Sequence, residues 1–286
     1  MTKKISKKTI VWCIIIALFF LMIWIIWGNT ALELNIYCIS SEEIPDSFNG
    51  YRIAQVSDLH NAEFGDNNET LLNMLKEASP DIIVITGDLI DSRNTNIEIG
   101  IAFAQQSVKI APTYYITGNH EARISAYDEL EKGLKDAGVV ILRDKAIQLE
   151  EDGSYISLIG IDDPSFETDY LFGDSATVIE NTLHDMTLED NSYTILLSHR
   201  PELFEVYVEN GIDLVFSGHA HGGQFRLPFV GGIVAPNQGF FPKYDTGLYI
   251  EDNTKMIVSK GIGNSIIPFR FNNRPEVILV ELNKEL

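Results

Sequence analysis

Five of the six histidines lie in short groups of potential metal ligands that recur along the chain. In order, the groups are Asp58-Leu59-His60, Gly87-Asp88, Gly118-Asn119-His120-Glu121, Ser198-His199 and Gly218-His219-Ala220-His221. Carboxylate and amide oxygens combined with imidazole nitrogens suit divalent cations such as Mn, Fe, Zn or Co. The residue types therefore predict a metal-dependent enzyme.

Each group follows a run of apolar and β-branched residues, so each stands where a predicted strand ends and a loop begins. Strands are predicted over residues 32–37, 51–56, 81–86, 113–116, 146–149, 155–161, 194–197, 214–216, 246–250, 256–259 and 277–281. One helix is predicted from an Asp66/Glu69 capping box to Ala78. Further helices are predicted over residues 97–108, 126–137 (with Gly138 as its cap), 177–184 and 202–209.

The alternation of strands and helices predicts an α/β chain whose first half forms a largely parallel sheet. The strand-rich second half requires another sheet. The predicted architecture is a two-sheet β-sandwich flanked by helices and preceded by one N-terminal transmembrane helix. In open α/β sheets ligands bind beyond the carboxyl ends of the strands, where the candidate ligands stand.

Taken one at a time, the groups are weak evidence for a metal site. Asp58 and His60 also fit a helix cap beside a partly buried histidine, and the His219/His221 pair also fits a surface loop. Their joint occurrence at strand ends favours metal binding. His184 lies in a predicted helix, apart from the groups at the strand ends, so we expect it to be a solvated or capping histidine.

The ordered series of groups resembles the calcineurin-like metallophosphoesterase superfamily, over roughly residues 51–282 and with no ligand type replaced. The stretches 218–224 and 273–277 are similar to one branch of membrane-associated or exported bacterial phosphoesterases. That branch includes YkuE and YaeI and is often named after UDP-2,3-diacylglucosamine hydrolases. The family fold is a two-sheet sandwich flanked by helices, which agrees with the predicted strands.

The resemblance implies two divalent metal ions (Mn, Fe, Zn or Co), with four protein ligands each and one carboxylate, Asp88, shared. The ligands of the first ion would be Asp58, His60, Asp88 and His221. The ligands of the second would be Asp88, Asn119, His199 and His219. His120 would be the catalytic histidine that binds no metal. Two neighbouring cations would supply hydroxide near neutral pH and offset the charge of the phosphoryl oxygens.

Four polar residues beside these groups have two interpretations each. Arg123 and Arg200 either contact a phosphate, whose oxygens match an arginine fork, or pair with surface carboxylates. Asp91 either supports a metal ligand or caps the next helix. Glu121 either raises the proton affinity of His120 or simply begins a helix.

Six phenylalanines cluster in the late loops, and either a lipid-facing apolar rim or ordinary core packing explains them. They are Phe225, Phe229, Phe240, Phe241, Phe269 and Phe271.

Residues 10–27 form an unbroken apolar run of 18 that reads IVWCIIIALFFLMIWIIW. A membrane-spanning helix needs about 20 such residues, within a range of roughly 17–25. Lysines 3, 4, 7 and 8 precede the run, so the positive-inside rule places the N-terminus in the cytoplasm and the catalytic domain outside it. A cleaved signal peptide is the alternative, but its apolar core would span only about 7–15 residues. Residues 1–28 are therefore predicted to be an uncleaved anchor in the cell membrane.

The chain has 41 acidic and 21 basic residues, a formal net charge of -20. Removing the four N-terminal lysines leaves 17 basic residues and a charge of about -24. Such a field repels nucleic acid, so no nucleic-acid partner is predicted. The two cysteines, Cys13 and Cys38, are predicted to stay unpaired because the first lies within the apolar run. The sequence makes no prediction of oligomeric state.

The leading hypothesis is a metal-dependent phosphoric ester hydrolase, anchored to the membrane through residues 1–28, with a connector over residues 29–50 and a metallophosphoesterase domain over residues 51–286. Its favoured substrate is a phosphodiester or pyrophosphate of a lipid or cell-envelope precursor. A broad phosphomonoesterase or nucleotidase is the second hypothesis. A tethered metal-binding module without catalytic activity is the third.

Overall fold

In the computed structural model, which describes residues 6–167, 174–186, 192–264 and 267–285, two six-stranded sheets pack face to face. The first sheet, in the order β1-β16-β2-β3-β4-β5, contains β1 (Glu33–Ser41), β2 (Arg52–Val56), β3 (Ile82–Thr86), β4 (Thr113–Ile116), β5 (Val140–Ile141) and β16 (Glu276–Lys284). The second, in the order β14-β15-β9-β8-β7-β6, contains β6 (Lys145–Glu151), β7 (Ser154–Gly160), β8 (Thr194–Leu197), β9 (Leu214–Ser217), β14 (Gly247–Glu251) and β15 (Thr254–Val258). The predicted two-sheet sandwich is confirmed.

Both sheets are mixed. Strands β2 to β5 run parallel, and β16 joins them antiparallel to β2. In the second sheet β7, β8, β9 and β15 are parallel, with antiparallel β6 and β14 at the edges. All five residues of β3 are buried, as expected for a central parallel strand covered on both faces. The short pairs β10 (Arg226–Leu227) with β11 (Gly231–Gly232), and β12 (Val234–Ala235) with β13 (Gly239–Phe240), were not predicted.

Helices cover the outer face of each sheet. Those described beyond the N-terminal helix are α2 (Glu69–Ala78), α3 (Ile97–Ser107), α4 (Tyr127–Ala137), α5 (Ser175–Asp185) and α6 (Phe204–Glu209). One apolar cluster joins the first sheet to α2, α3 and α4, a second lies between the sheets, and a third joins the second sheet to α5 and α6. Gly138 ends α4 with a φ of 94°, which confirms the predicted cap.

The predicted capping box at the start of α2 is wrong. Asn68, at the N-cap, has a φ of 61° and no side-chain capping bond, and Asp66 lies in a separate 3-10 turn. Asparagine tolerates this left-handed conformation. The Asn68 side chain instead accepts from the N–H of Phe64 and donates to the carbonyl of Ala62. The asparagine therefore supports the preceding loop, and the helix begins at Glu69.

The apolar run forms α1 (Lys7–Thr30), a 24-residue helix with no buried residue, in which an 18-residue stretch has a mean hydropathy of 2.9. By length and composition it is able to cross a membrane. Lys3 and Lys4 of the basic flank lie outside the described residues. The predicted connector, residues 29–50, contains β1, which pairs with β16 as the edge strand of the first sheet. The division of the chain at residue 51 stays a prediction.

Candidate metal centre

The eight predicted site residues converge at the carboxyl ends of β2, β3, β4, β8 and β9. The ligand atoms of Asp58, His60, Asp88 and His221 all lie within 4.8 Å of one another. A second group with the same spacing contains Asp88, His199 and His219. Asp88 belongs to both groups, so one carboxylate lies between two sets of imidazoles.

Sharp turns, rather than strand alternation, bring these side chains together. Asp58, His60, Asp88, His219 and His221 all have a positive φ, between 46° and 65°. Such a conformation is uncommon in non-glycine residues and often marks functional sites. The two-residue spacing of His60 from Asp58 fits one face of a strand, but β2 already ends at Val56.

Neighbouring loops hold each other in these turns through their backbones. The N–H of Asp58 donates to the carbonyl of Gly87 at 3.1 Å, and the N–H of His60 donates to that of Asp88 at 3.0 Å. A Cβ on Gly87 would lie 2.7 Å from the Cα of Gly118. Only glycine allows the loops after β3 and β4 to approach this closely.

The buried His199 has a nitrogen that lacks a hydrogen-bond partner. Its Nδ1 lies 2.8 Å from the carbonyl oxygen of Thr86, which can only accept, so Nδ1 bears the proton. Nε2 has no hydrogen-bond partner and lies 3.3 Å from Oδ2 of Asp88. In a buried site this contact is favourable only with a positive charge between the two atoms, either a proton on Nε2 or a cation. This arrangement fits a cation.

The first group shows the same convergence. Nε2 of His60 lies 3.2 Å from Nε2 of His221 and 3.5 Å from Oδ2 of Asp88. Nε2 of His221 lies 3.3 Å from Oδ1 of Asp58. Two imidazole nitrogens and two carboxylates thus point at a common centre. Oδ2 of Asp58 is held from outside by the Ser57 hydroxyl at 2.6 Å.

Asn119 and His219 meet on the opposite side of Asp88. The Asn119 amide lies 2.8 Å from Nδ1 of His219 and 3.2 Å from the guanidinium of Arg123. Behind the ring, Nη1 of Arg200 lies 3.2 Å from Nε2 of His219. Arg200 is itself held by two bonds to the buried Asp163, at 2.5 and 2.8 Å.

Burial and nearby charges shift the pKa values of the histidines in different directions. Burial, together with the charges of Arg200 and His199, keeps the pKa of His219 well below its usual value, and burial lowers that of His221 to about 3. Burial also opposes protonation of His199, but the Asp88 carboxylate beside its free nitrogen raises its pKa to about 10. Neutral imidazoles are the form that binds metal, and His219 and His221 are in that form.

His120 lies at the edge of this centre and presents one nitrogen to it. The backbone N–H of Ser92 donates to Nδ1 at 3.0 Å, which leaves the ring proton of the neutral imidazole on Nε2. Nε2 lies 4.0 Å from Oδ2 of Asp88. Burial lowers the pKa of His120 to about 4. The geometry makes His120 a hydrogen-bond donor directed into the site.

The Glu121 side chain acts on the loop after β3 and not on His120. Its carboxylate accepts from the N–H groups of Asp88, Leu89 and Ile90, at 2.8 to 3.3 Å, and from that of Gly118 at 2.7 Å. It also begins a 3-10 turn, in line with the second interpretation. Burial, with Asp88 nearby, raises its pKa to about 7.

The remaining polar candidates are placed as follows. Asp91 lies 3.5 Å from Nδ1 of His120 and also accepts from Arg93, whereas Asn96 occupies the N-cap of α3, so the capping interpretation is wrong. Arg200 pairs with the carboxylate of Asp163, which is buried and not on the surface. His184 is exposed, as predicted.

Three residues that support the site were missed. Asp163 holds Arg200, the N–H of Ser92 holds His120, and the buried Arg270 lies behind His221, with Nη2 at 3.5 Å from Nδ1. Asp163 follows the end of β7, so its strand-end position was the one available signal. No local pattern marks Ser92 or Arg270, because their roles depend on contacts between distant segments.

Comparison with known proteins gives a consistent family. Residues 51–223 match the calcineurin-like phosphoesterase family (Metallophos). The chain is 31% identical over 257 residues to the uncharacterized metallophosphoesterase YkuE of Bacillus subtilis, covering 88% of this chain and 85% of YkuE. It is 26% identical over 242 residues to the phosphodiesterase YaeI of Escherichia coli, covering 81% and 82% of the two chains.

Two further similarities concern the helix and the fold. A zebrafish (Danio rerio) protein named "transmembrane protein with metallophosphoesterase domain" is 31% identical and covers 86% of this chain, which spans 56% of that protein. The crystal structure of TT1561 of Thermus thermophilus superimposes with a TM-score of 0.52 at 14% identity, covering 74% of this chain and 90% of that one. The second similarity supports the fold alone.

Proposed function

The chain belongs to the calcineurin-like phosphoesterase family, and on this basis we propose that it is a membrane-anchored, binuclear metal-dependent hydrolase of phosphodiester or pyrophosphate bonds. The family is metal-dependent, and the described residues include the clustered ligand types that such a site needs. The observation that carries the proposal is the position of Asp88 in both ligand groups.

The proposed ligands follow the two groups. Asp58, His60, Asp88 and His221 would hold one ion. Asp88, Asn119, His199 and His219 would hold the other. The position of Nε2 of His199 opposite Asp88 supports this division, because a shared cation would replace the proton that otherwise makes that contact favourable. The O and N donors admit Mn, Fe, Zn or Co.

Two bound cations would supply a hydroxide nucleophile near neutral pH and neutralise charge on the phosphoryl group. The side chains of the protein contribute orientation and hydrogen bonding. Asp88 would be catalytic as the shared ligand, fixed by the backbone N–H of His120 at 2.8 Å. His120 would donate its Nε2 proton in a hydrogen bond to a phosphoryl or leaving oxygen. Arg123, beside Asn119, is the proposed phosphate contact at the rim.

The substrate class rests on the anchor and on the relatives. Helix α1 would hold the enzyme at the membrane, where lipid and envelope precursors lie, and the name of YaeI specifies a phosphodiesterase. The lysine flank favours a cytoplasmic N-terminus and an extracytoplasmic domain. Accessibility of the domain to added protease in intact and permeabilised cells tests on which side of the membrane the domain lies.

The activity is tested with the full chain in detergent, by comparing a bis-aryl phosphate with a mono-aryl phosphate, each with and without a chelator. We expect chelator-sensitive cleavage with the diester preferred. A preference for the monoester would favour the phosphomonoesterase or nucleotidase hypothesis. No cleavage of either substrate by protein with a full metal content would favour the non-catalytic module.

His120→Ala tests the role of the donor. We expect metal content to stay unchanged while turnover falls by about 10²–10⁴-fold, the usual effect of losing such a group. His184→Ala is the matched control, because His184 is exposed on α5 and belongs to neither ligand group. Unchanged hydrolysis in His120→Ala would contradict the assigned role.

A further inference from the structure

An unusual apolar surface lies beside the N-terminal helix. It consists of residues 225–241, which contain the strand pairs β10–β11 and β12–β13 and are here called the ribbon region, together with Phe269. Eleven large exposed apolar side chains are described beyond the helix, and six of them lie on this surface: Leu227, Phe229, Val230, Phe240, Phe241 and Phe269. This concentration points to a binding surface rather than scattered exposure.

The core-packing interpretation fails for the phenylalanines at the tips. Phe229, Phe240 and Phe241 are 110%, 76% and 65% exposed. Phe229 and Phe241 also have positive φ values, 67° and 57°, which bulky residues rarely adopt. The chain therefore directs aromatic rings into solvent from turn positions that ordinarily hold glycine or asparagine.

The ribbon region is continuous with the contact between α1 and the rest of the protein. Phe225 pairs with Phe271 in a parallel bridge, and the ring of Phe271 meets that of Trp24 edge to face at 5.0 Å. The guanidinium of Arg274 stacks over Trp27 at 4.7 Å. Asn29 bonds both the N–H and the carbonyl of Arg270. The end of α1 is therefore fixed to the segment on which the ribbon region packs.

The helix geometry places this contact at the bilayer boundary. At 1.5 Å per residue the apolar run of 18 residues spans about 27 Å, slightly less than the roughly 30 Å of a hydrocarbon core. In a membrane-spanning α1 the run would be immersed along its whole length, including Trp24 and Trp27. Phe271 touches Trp24, about 9 Å before the end of α1. Phe271 and its neighbours then lie at the lipid surface.

The charges beside α1 also permit contact between this surface and the lipid. The groove between α1 and the segment 270–274, which Arg226 of the ribbon region also lines, has a volume of about 230 Å³. Among the described residues that line it, the basic ones are Arg226, Lys260, Arg270 and Arg274, and the acidic one is Glu33. Three of these basic side chains form ion pairs with Asp245, Glu33 and Glu276, so on a chain with a net charge of -20 the groove is a nearly neutral patch. Basic and aromatic residues together are typical of the membrane interface.

We infer that the ribbon region and Phe269 insert into the lipid bilayer interface as a second membrane contact, separate from α1. The inference rests on the proposed function in one respect, that α1 lies in a membrane. It also concerns the active site, because Gly223, two residues after His221, packs against Gly232 of β11. The loop that bears a candidate ligand would thus lie directly above the lipid, and a lipid-borne phosphoester would reach the metals from the bilayer.

The test uses the full chain with Cys13→Ser and Cys38→Ser, reconstituted in phosphatidylcholine/phosphatidylglycerol vesicles. Phe229→Cys and, in a second variant, Phe240→Cys are labelled with an environment-sensitive fluorophore. Vesicles containing a doxyl-labelled lipid with the quencher near the headgroup report contact. Val140→Cys is the matched control, because Val140 is apolar, 41% exposed and on β5, at the edge of the first sheet opposite β1.

We expect the labels at 229 and 240 to lose more than half of their fluorescence in the doxyl vesicles, and the label at 140 to keep its own. Equal quenching at all three positions, or none at 229 and 240, would overturn the inference. If the full chain does not float with the vesicles, α1 does not anchor it to the membrane, and the inference is overturned as well.

Hydrolysis of a soluble bis-aryl phosphate by each labelled variant shows that the fold is intact. Quenching of the label does not depend on hydrolysis, so the lipid contact and the proposed activity are tested independently. Quenching at 229 without hydrolysis in the unmodified chain would refute the proposed activity alone. Hydrolysis without quenching would refute the lipid contact alone.

Discussion

Asp163→Asn should weaken metal binding, although Asp163 touches no metal ligand. Asp163 is almost fully buried and holds Arg200 through two hydrogen bonds, while Arg200 lies against Nε2 of His219. An amide in place of the carboxylate removes the charge that fixes the guanidinium. Arg200 would then be a buried cation beside a candidate ligand, with only the longer 3.4 Å contact to the Glu202 carboxylate left.

The expected loss of stability follows from the buried ion pair between Asp163 and Arg200. Burial raises the pKa of Asp163, but the charge of Arg200 outweighs it and lowers the pKa from 3.8 to about 2. At 1.36 kcal/mol per pH unit, this difference corresponds to about 2 kcal/mol of stability. Removing one partner of a buried pair costs about 3–5 kcal/mol. Since asparagine keeps part of the bonding, we expect a loss of about 2–4 kcal/mol at neutral pH.

The pH dependence has a definite sign. Because folding lowers the pKa of Asp163, its contribution is present above pH 3.8 and is lost as the pH falls towards 2. The stability difference between the unmodified chain and Asp163→Asn should therefore narrow over that range. Urea denaturation of the chelator-treated full chain in detergent, followed by circular dichroism, measures it.

Metal affinity is measured separately, by equilibrium dialysis and elemental analysis. Loss of a group that orients a ligand typically lowers affinity by about 10–100-fold. Asp162→Asn is the matched control: Asp162 pairs with the partly exposed Arg143 and should leave metal affinity nearly unchanged. If Asp163→Asn bound metal as tightly as the unmodified chain, the proposed support of His219 through Arg200 would be refuted.

Three further outcomes are expected. Each carboxylate oxygen of Glu121 accepts from two backbone N–H groups, and Glu121→Gln replaces one of these oxygens with an amide donor, so it should cost about 1–3 kcal/mol in urea denaturation. Glu129→Gln on the surface of α4 should cost little, and equal effects would contradict the role of Glu121 in the loop after β3. Asn29→Ala removes both bonds to Arg270 and should lower the free energy of unfolding by about 1–2 kcal/mol, while Thr30→Ala, which loses a bond within α1 only, serves as its control. Chelation should lower the thermal midpoint, since metal at about 100 times its Kd adds about 2.7 kcal/mol, and an unchanged midpoint would argue against a bound metal.

The strand ends were predictable because their signal is local. An apolar run such as β3 must be buried on both faces, and the Gly87-Asp88 that follows it must leave the sheet at its carboxyl end. Family resemblance then predicted which strand ends meet. The failed capping box at Asp66 shows the limit of local patterns: two asparagines in left-handed conformations changed where α2 begins.

Supporting contacts were not predictable in the same way. Asp163 and Arg200 are 37 residues apart, and Asn29 and Arg270 are 241 apart. Nothing in either local sequence specifies the partner, because each pair forms only when separate loops pack together. The exposure of Phe229 and Phe241 was equally undetermined, since an apolar residue in a loop fits a core or a binding surface until its neighbours are known.

The sequence by itself determined the chemistry, because donor types, their order and an apolar segment long enough for a bilayer are properties of composition and spacing. The tertiary structure alone decided which nitrogen of His120 faces the site, what holds His219, and which face lies beside α1. Those properties depend on distances between segments far apart in the chain, and only packing brings such segments together.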